Sequence, residues 1–67
     1  MEAEKYEVFI STDPDWPGWG VKRGSEIVYN GGSFLTQDKA QQYADAWNDG
    51  ADNDDEATDY VVYWYGE

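Results

Sequence analysis

Carboxylates are the groups with which this chain could do chemistry. Eight of them fall in the 22 residues from Asp38 to Asp59: Asp38, Asp45, Asp49, Asp52, Asp54, Asp55, Glu56 and Asp59. Lys39 is the one basic residue in that interval. Asp13 and Asp15 form a further pair around Pro14. Close carboxylates can share general acid–base work. Alternating ones can hold calcium. A dense row of them can meet a basic surface by charge alone.

The first two uses find little support. The chain has no His, the commonest general base, and no Cys, so Ser11, Ser25 and Ser33 have nothing of that kind to activate them. A chain of 67 residues also has little room for the dry, concave pocket that acid–base catalysis needs. Gly31-Gly32 is not followed by the Gly-Lys-Ser/Thr of a phosphate-cradling loop. No enzymatic activity is expected. Asp52, Asp54 and Glu56 alternate as the first ligands of an EF-hand would, but the pattern then fails. Its sixth position is Ala57, where a Gly is needed, and its twelfth is Tyr63, where a bidentate Glu is needed. Neither a metal nor a cofactor is expected.

Charge complementarity remains. On a helix, Asp38 and Asp45 lie roughly 10 Å apart, and Asp45 and Asp49 about 6 Å, at ~1.5 Å rise per residue. Duplex DNA carries one charge per ~1.7 Å of axis, or ~3.4 Å along each strand. The eight carboxylates are therefore the candidate partner-binding residues. Their partner would be a basic, nucleic-acid-binding protein surface. The plain alternative is a solvated face that keeps the protein soluble. The net charge of 4 − 15 = −11 goes beyond that need, since ~2–8 units suit a small domain.

The elements that position this row can be read from periodicity. Tyr6, Val8 and Ile10 alternate with polar residues, so Glu4 to Ser11 is expected as a strand. Thr12 to Gly18 holds two prolines and is a loop, with Trp16 expected to fold back on the domain. Trp19 to Arg23 and Glu26 to Tyr29 form a hairpin about Gly24-Ser25, closed off by Asn30-Gly31-Gly32-Ser33. Thr36 caps a helix whose apolar stripe is Ala40, Tyr43, Ala44 and Trp47, with Leu35 and Ala40 as a weak staple and Gly50 as the stop. Ala51 to Asp59 reads as an acidic loop. Tyr60 to Tyr65, apolar on both faces, reads as a central strand.

The expected fold is α+β: a small antiparallel four-stranded sheet in the order β-β-β-α-β, with one helix packed on one face. Tyr6, Val8, Ile10, Val21, Ile27 and one side of the last strand would supply the sheet's half of the core. Residues 1–67 would form one domain. No apolar run approaches the ~20 residues that span a bilayer, and Met1 to Lys5 lacks a signal peptide's pattern. A cytoplasmic protein that binds neither membranes nor nucleic acid directly is expected, since both carry negative charge.

In size, charge and layout the chain resembles the small acidic inhibitors of bacterial defence encoded by phages and mobile elements. The closest likeness is to DNA-mimicking anti-CRISPR proteins that act on type I Cascade, type I-C among them. The resemblance covers the chain in character and carries no diagnostic motif. It implies a stoichiometric inhibitor in the bacterial cytoplasm that occupies the DNA-binding groove of a CRISPR effector complex or another defence protein. The segment from Trp19-Gly20-Val21-Lys22 to Trp47 also resembles small bacterial domains of unknown function. A second class of function is an interaction module of a larger assembly. It would make contact through Phe9, Trp16 or the aromatic last segment, with the acidic face serving solubility.

Overall fold

A computed structural model of the chain describes residues 5–66. Glu4, the expected start of the first strand, and Glu67 lie outside the described residues. Three strands, β1 (Tyr6–Ile10), β2 (Trp19–Arg23) and β3 (Glu26–Phe34), precede two helices, α1 (Gln37–Asn48) and α2 (Asp54–Tyr65). The strands form one antiparallel sheet in the order β1-β2-β3. Cα extents of 35 × 32 × 16 Å make the molecule a flat slab.

Val8 faces Val21, and Tyr6 faces Arg23, across β1 and β2. Gly24-Ser25 turns β2 into β3 as expected, with Gly24 at a φ of +61° and Arg23 opposite Glu26. The hairpin does not stop at Tyr29. It continues through a wide bulge to Phe34, which pairs with Trp19. Glycine makes this route passable. A Cβ on Gly31 would lie 2.8 Å from the Cβ of Ser11, and one on Gly32 would strike the Trp16 ring. Trp16 thus folds back over Gly32 while staying 63% exposed.

Thr36 caps α1 by accepting the Lys39 N–H at 3.2 Å. Leu35 is 89% exposed, so the expected staple with buried Ala40 does not form. At the other end Gly50 (φ +117°) donates to the Trp47 carbonyl and Ala51 to that of Ala46. That pair of bonds, with Ala46 packed on Ala51, is a Schellman stop. The Asn48 side chain then reaches β1, where its Oδ1 accepts the Tyr6 N–H at 2.8 Å and its Nδ2 donates to the Tyr6 carbonyl at 3.0 Å.

The expected last strand is a helix. Asn53 caps it by accepting the Glu56 N–H at 2.9 Å, and Asp54, Asp55 and Glu56 fill its first turn, where acid opposes the helix dipole. Ala57, Tyr60, Val61 and Trp64 then recur at helical spacing. The sheet therefore has three strands rather than four, and the order is β-β-β-α-α.

Two small cores result. Val21, Ala40 and Ala44 are buried between sheet and α1, ringed by Tyr6, Val8, Trp19, Val28, Tyr29, Phe34 and Tyr43. Ala46, Ala51, Ala57 and Val61 are buried between α1 and α2, beside Tyr43, Trp47 and Tyr60. The stripe read from the sequence faces the sheet; Ala46, outside it, serves the second core. Ile10 and Ile27, expected inside, are exposed. Ile27 pairs with Lys22 and shares its face, and Ile10 lies at the end of a strand with nothing buried beyond it.

Candidate interaction surface

Asp38 and Asp45 on α1 and Asp49 at its C-cap are spaced seven and four residues apart and share a face. That face lies away from Ala40 and Ala44. Asp38 and Asp49 are exposed; Asp45 is half-buried and accepts the Gln41 Nε2–H at 3.0 Å. Asp52 is exposed in the connection, and Asp55 and Asp59, four residues apart, are exposed on α2.

Asp54, which is exposed, and Glu56, which is half-buried, are engaged by hydrogen bonds within the chain. Asp54 Oδ1 accepts the Tyr29 hydroxyl at 2.6 Å. Glu56 Oε2 accepts the Asp52 N–H at 3.1 Å, one residue before the Asn53 cap, and so ties the incoming chain to the first turn of α2. The eight carboxylates thus divide. Six lie along the helical half of the slab, and two hold the start of α2.

On the sheet the cations Lys22 and Arg23 are each paired with a glutamate. Lys22 lies 4.0 Å from Glu7 and 5.8 Å from the centroid of the Phe9 ring. Arg23 donates to Glu26 at 3.0 Å and to the Tyr6 hydroxyl at 3.0 Å. The molecule is polarised, with these cations on the hairpin and the acid row on the helices. Such a surface can steer and hold a basic partner.

Tyr29 was not legible as a connecting residue from sequence. Its hydroxyl donates to Asp54 on α2 and accepts the Trp47 Nε1–H of α1 at 3.2 Å, so it ties β3 to both helices. Burial, reinforced by the bond to Asp54, pushes this phenol well above the ordinary tyrosine range. The folded state therefore keeps a proton that the unfolded state releases above about pH 10. Its contribution is complete below that pH and is lost as pH rises further. Tyr29→Phe should melt lower than the parent at pH 8, and the gap should shrink at pH 11. A gap that does not narrow would show that the hydroxyl contributes nothing proton-linked.

The C-terminal turns of α2 are the apolar counterpart of the acid row. Val62, Tyr63, Trp64 and Tyr65 are all exposed, Tyr63 at 87%. Beside them lies a cavity lined by Asp38, Gln41, Gln42 and Tyr65. The sequence placed Tyr65 in an aromatic contact strand and did not point to Gln41 or Gln42, because the cavity exists only once α2 folds back along α1. Among the described residues no three carboxylates group closely enough to hold a metal ion. Among them, too, no helix is long and apolar enough to cross a membrane. No family model, curated protein or solved structure matches this chain.

Proposed function

We propose that the chain is a stoichiometric, non-catalytic inhibitor that occupies a basic DNA-binding surface of a bacterial defence complex, offering carboxylates in place of phosphates. One observation carries this reading: Asp38, Asp45, Asp49, Asp52, Asp55 and Asp59 lie along the two-helix half of a flat molecule whose hairpin cations are elsewhere. A type I CRISPR surveillance complex is the first target to try, on the resemblance in size and charge. The test is binding of the purified protein to that complex with target DNA as competitor.

The expected result is mutual exclusion with DNA, weakened by salt. Replacing Asp38, Asp49 and Asp59 together by Lys changes the charge from −11 to −5, since each reversal adds two units. Binding should fall about a hundredfold or more. The triple variant should also melt no lower than the parent, because it relieves self-repulsion. Binding that tolerates both DNA and the reversals would overturn the mimicry.

A second reading rests on the exposed aromatic end of α2. It makes the chain a non-catalytic interaction module whose contact is apolar. Association that is indifferent to salt and lost in Tyr63→Ser would favour it.

A further inference from the structure

The sheet has two faces, and α1 covers one of them. Tyr6, Val8 and Val21 point to that side, into the core with Ala40 and Ala44. Their neighbours along the strands point to the other side, as alternation requires. The register sets Glu7, Lys22 and Ile27 in one row across β1, β2 and β3, and Phe9 beside Gly20 in the next. The Phe9 ring lies across Gly20 and Gly31, where added Cβ atoms would stand 2.7 Å and 3.2 Å from it. Lys22 Nζ is 4.0 Å from Glu7 and 5.8 Å from the Phe9 centroid, and Ile27 is 49% exposed. Among the described residues no helix covers this second face, because α1 packs from the core side and α2 packs on α1 alone.

Charge says what can cover it. Along these rows one carboxylate meets one cation, whereas Asp38, Asp45 and Asp49 lie on the side of α1 turned from the sheet. A basic protein or a nucleic acid finds no net charge here to meet. For a chain of net charge −11, this is the face on which a second copy meets least repulsion. The slab is 16 Å thick, and the Debye length is about 8 Å at physiological ionic strength. The α1 carboxylates of two copies joined by their sheets are therefore screened from each other. The face is also self-complementary. A twofold axis along the strands between β1 and β2 sets Glu7 over Lys22 of the second copy, and Lys22 over its Glu7, and brings the two Phe9 rings together. Sheets stacked in this way lie ~10 Å apart, which those side chains span. The chain has no Cys to staple its small core, and domains of this size commonly complete such a core with a second subunit. We propose that the chain forms a twofold dimer through the outer face of its sheet, with the acid-bearing helices on the two outsides. The dimer stands apart from the inhibitor reading and does not rest on it.

Sedimentation equilibrium of the full chain, from micromolar to millimolar concentration at physiological ionic strength, tests this. The mass should rise from 7.7 kDa towards twice that value, and the melting temperature should rise with concentration. Lys22→Glu sets carboxylates against carboxylates across the interface and should hold the mass at the monomer value. Glu7→Lys should do the same with cations against cations. Mixed in equal amounts, the two variants should pair with each other at least about tenfold more tightly than either pairs with itself. That rescue separates a lost contact from a folding defect. Ile27→Glu, at an exposed position, should also give a monomer while keeping the parent's circular dichroism spectrum. A parent that stays monomeric at millimolar concentration would overturn the dimer. So would association that persists in all three variants, or a mixture no more associated than its parts. Loss of the dimer in Tyr63→Ser would overturn it too, by placing the contact at the end of α2.

Discussion

Gly20→Ala should lower the melting temperature by about 10 °C or more, at ~4–8 °C per kcal/mol for a domain of this size. Gly20 is buried in the central strand, and a Cβ built there lies 2.4 Å from the Tyr29 carbonyl oxygen, 2.8 Å from the Asn30 carbonyl carbon and 2.7 Å from Phe9 Cζ. The Phe9 ring could swing aside. The two backbone atoms belong to the start of the β3 bulge and cannot move without breaking the pairing that ends at Trp19 and Phe34. Overpacking of this kind costs ~1–3 kcal/mol or more. At ~0.05–0.15 kcal/mol per residue, a domain of this size has a total stability of only roughly 3–10 kcal/mol. Thermal melting followed by circular dichroism checks this, with Ser25→Ala at the exposed hairpin turn as control. A Gly20→Ala protein that melts within a few degrees of the parent would mean that the bulge is free to lift off β2.

Ala57→Leu should detach α2 while sheet and α1 stay folded. Ala57 is fully buried against the small residues Ala46 and Ala51 and beside Val61. A larger side chain must push the helices apart. α2 packs on α1 alone among the backbone elements and reaches β3 only through the Tyr29–Asp54 bond. The two cores share Tyr43 at their border but no buried residue. Hydrogen exchange separates the outcomes. Amides of α2 should lose most of their protection in Ala57→Leu, and Val21 should keep its own. The helical signal should drop by up to half, since each helix has 12 residues. Equal loss of protection at Val21 and Val61 would show a single cooperative unit instead.

The first half of the fold was legible because its signals are local. Alternation marked β1, Gly24-Ser25 marked the hairpin, and Thr36 and Gly50 marked the ends of α1. Tyr60-Val61-Val62-Tyr63-Trp64-Tyr65 failed because every residue in it favours strands, and an apolar run has no period of its own to decide the matter. The deciding signal lay just before it. Asn53 with Glu56 three residues on is a cap signature, and Ala57, Tyr60, Val61 and Trp64 carry the helical spacing forward. Reading 51–59 as a loop hid that start. The acid row was legible as charge. Its division was not, because Asp54 and Glu56 gain their internal partners only when α2 begins at that point. The cavity between the helices was illegible for the same reason, since Tyr65 reaches Asp38 only along a helix.

The Asn48 side chain on Tyr6 has a consequence for solubility. A side-chain amide offers the same donor and acceptor as a peptide group. On the outer rim of β1 it fills the place where a foreign strand would dock. Open rims of this kind are where sheets recruit further chains and grow into aggregates. Among the described residues only two fully buried side chains, Val21 and Val61, are larger than alanine, which leaves the domain little packing with which to resist such recruitment. One asparagine at the end of α1 closes that rim where the strand begins.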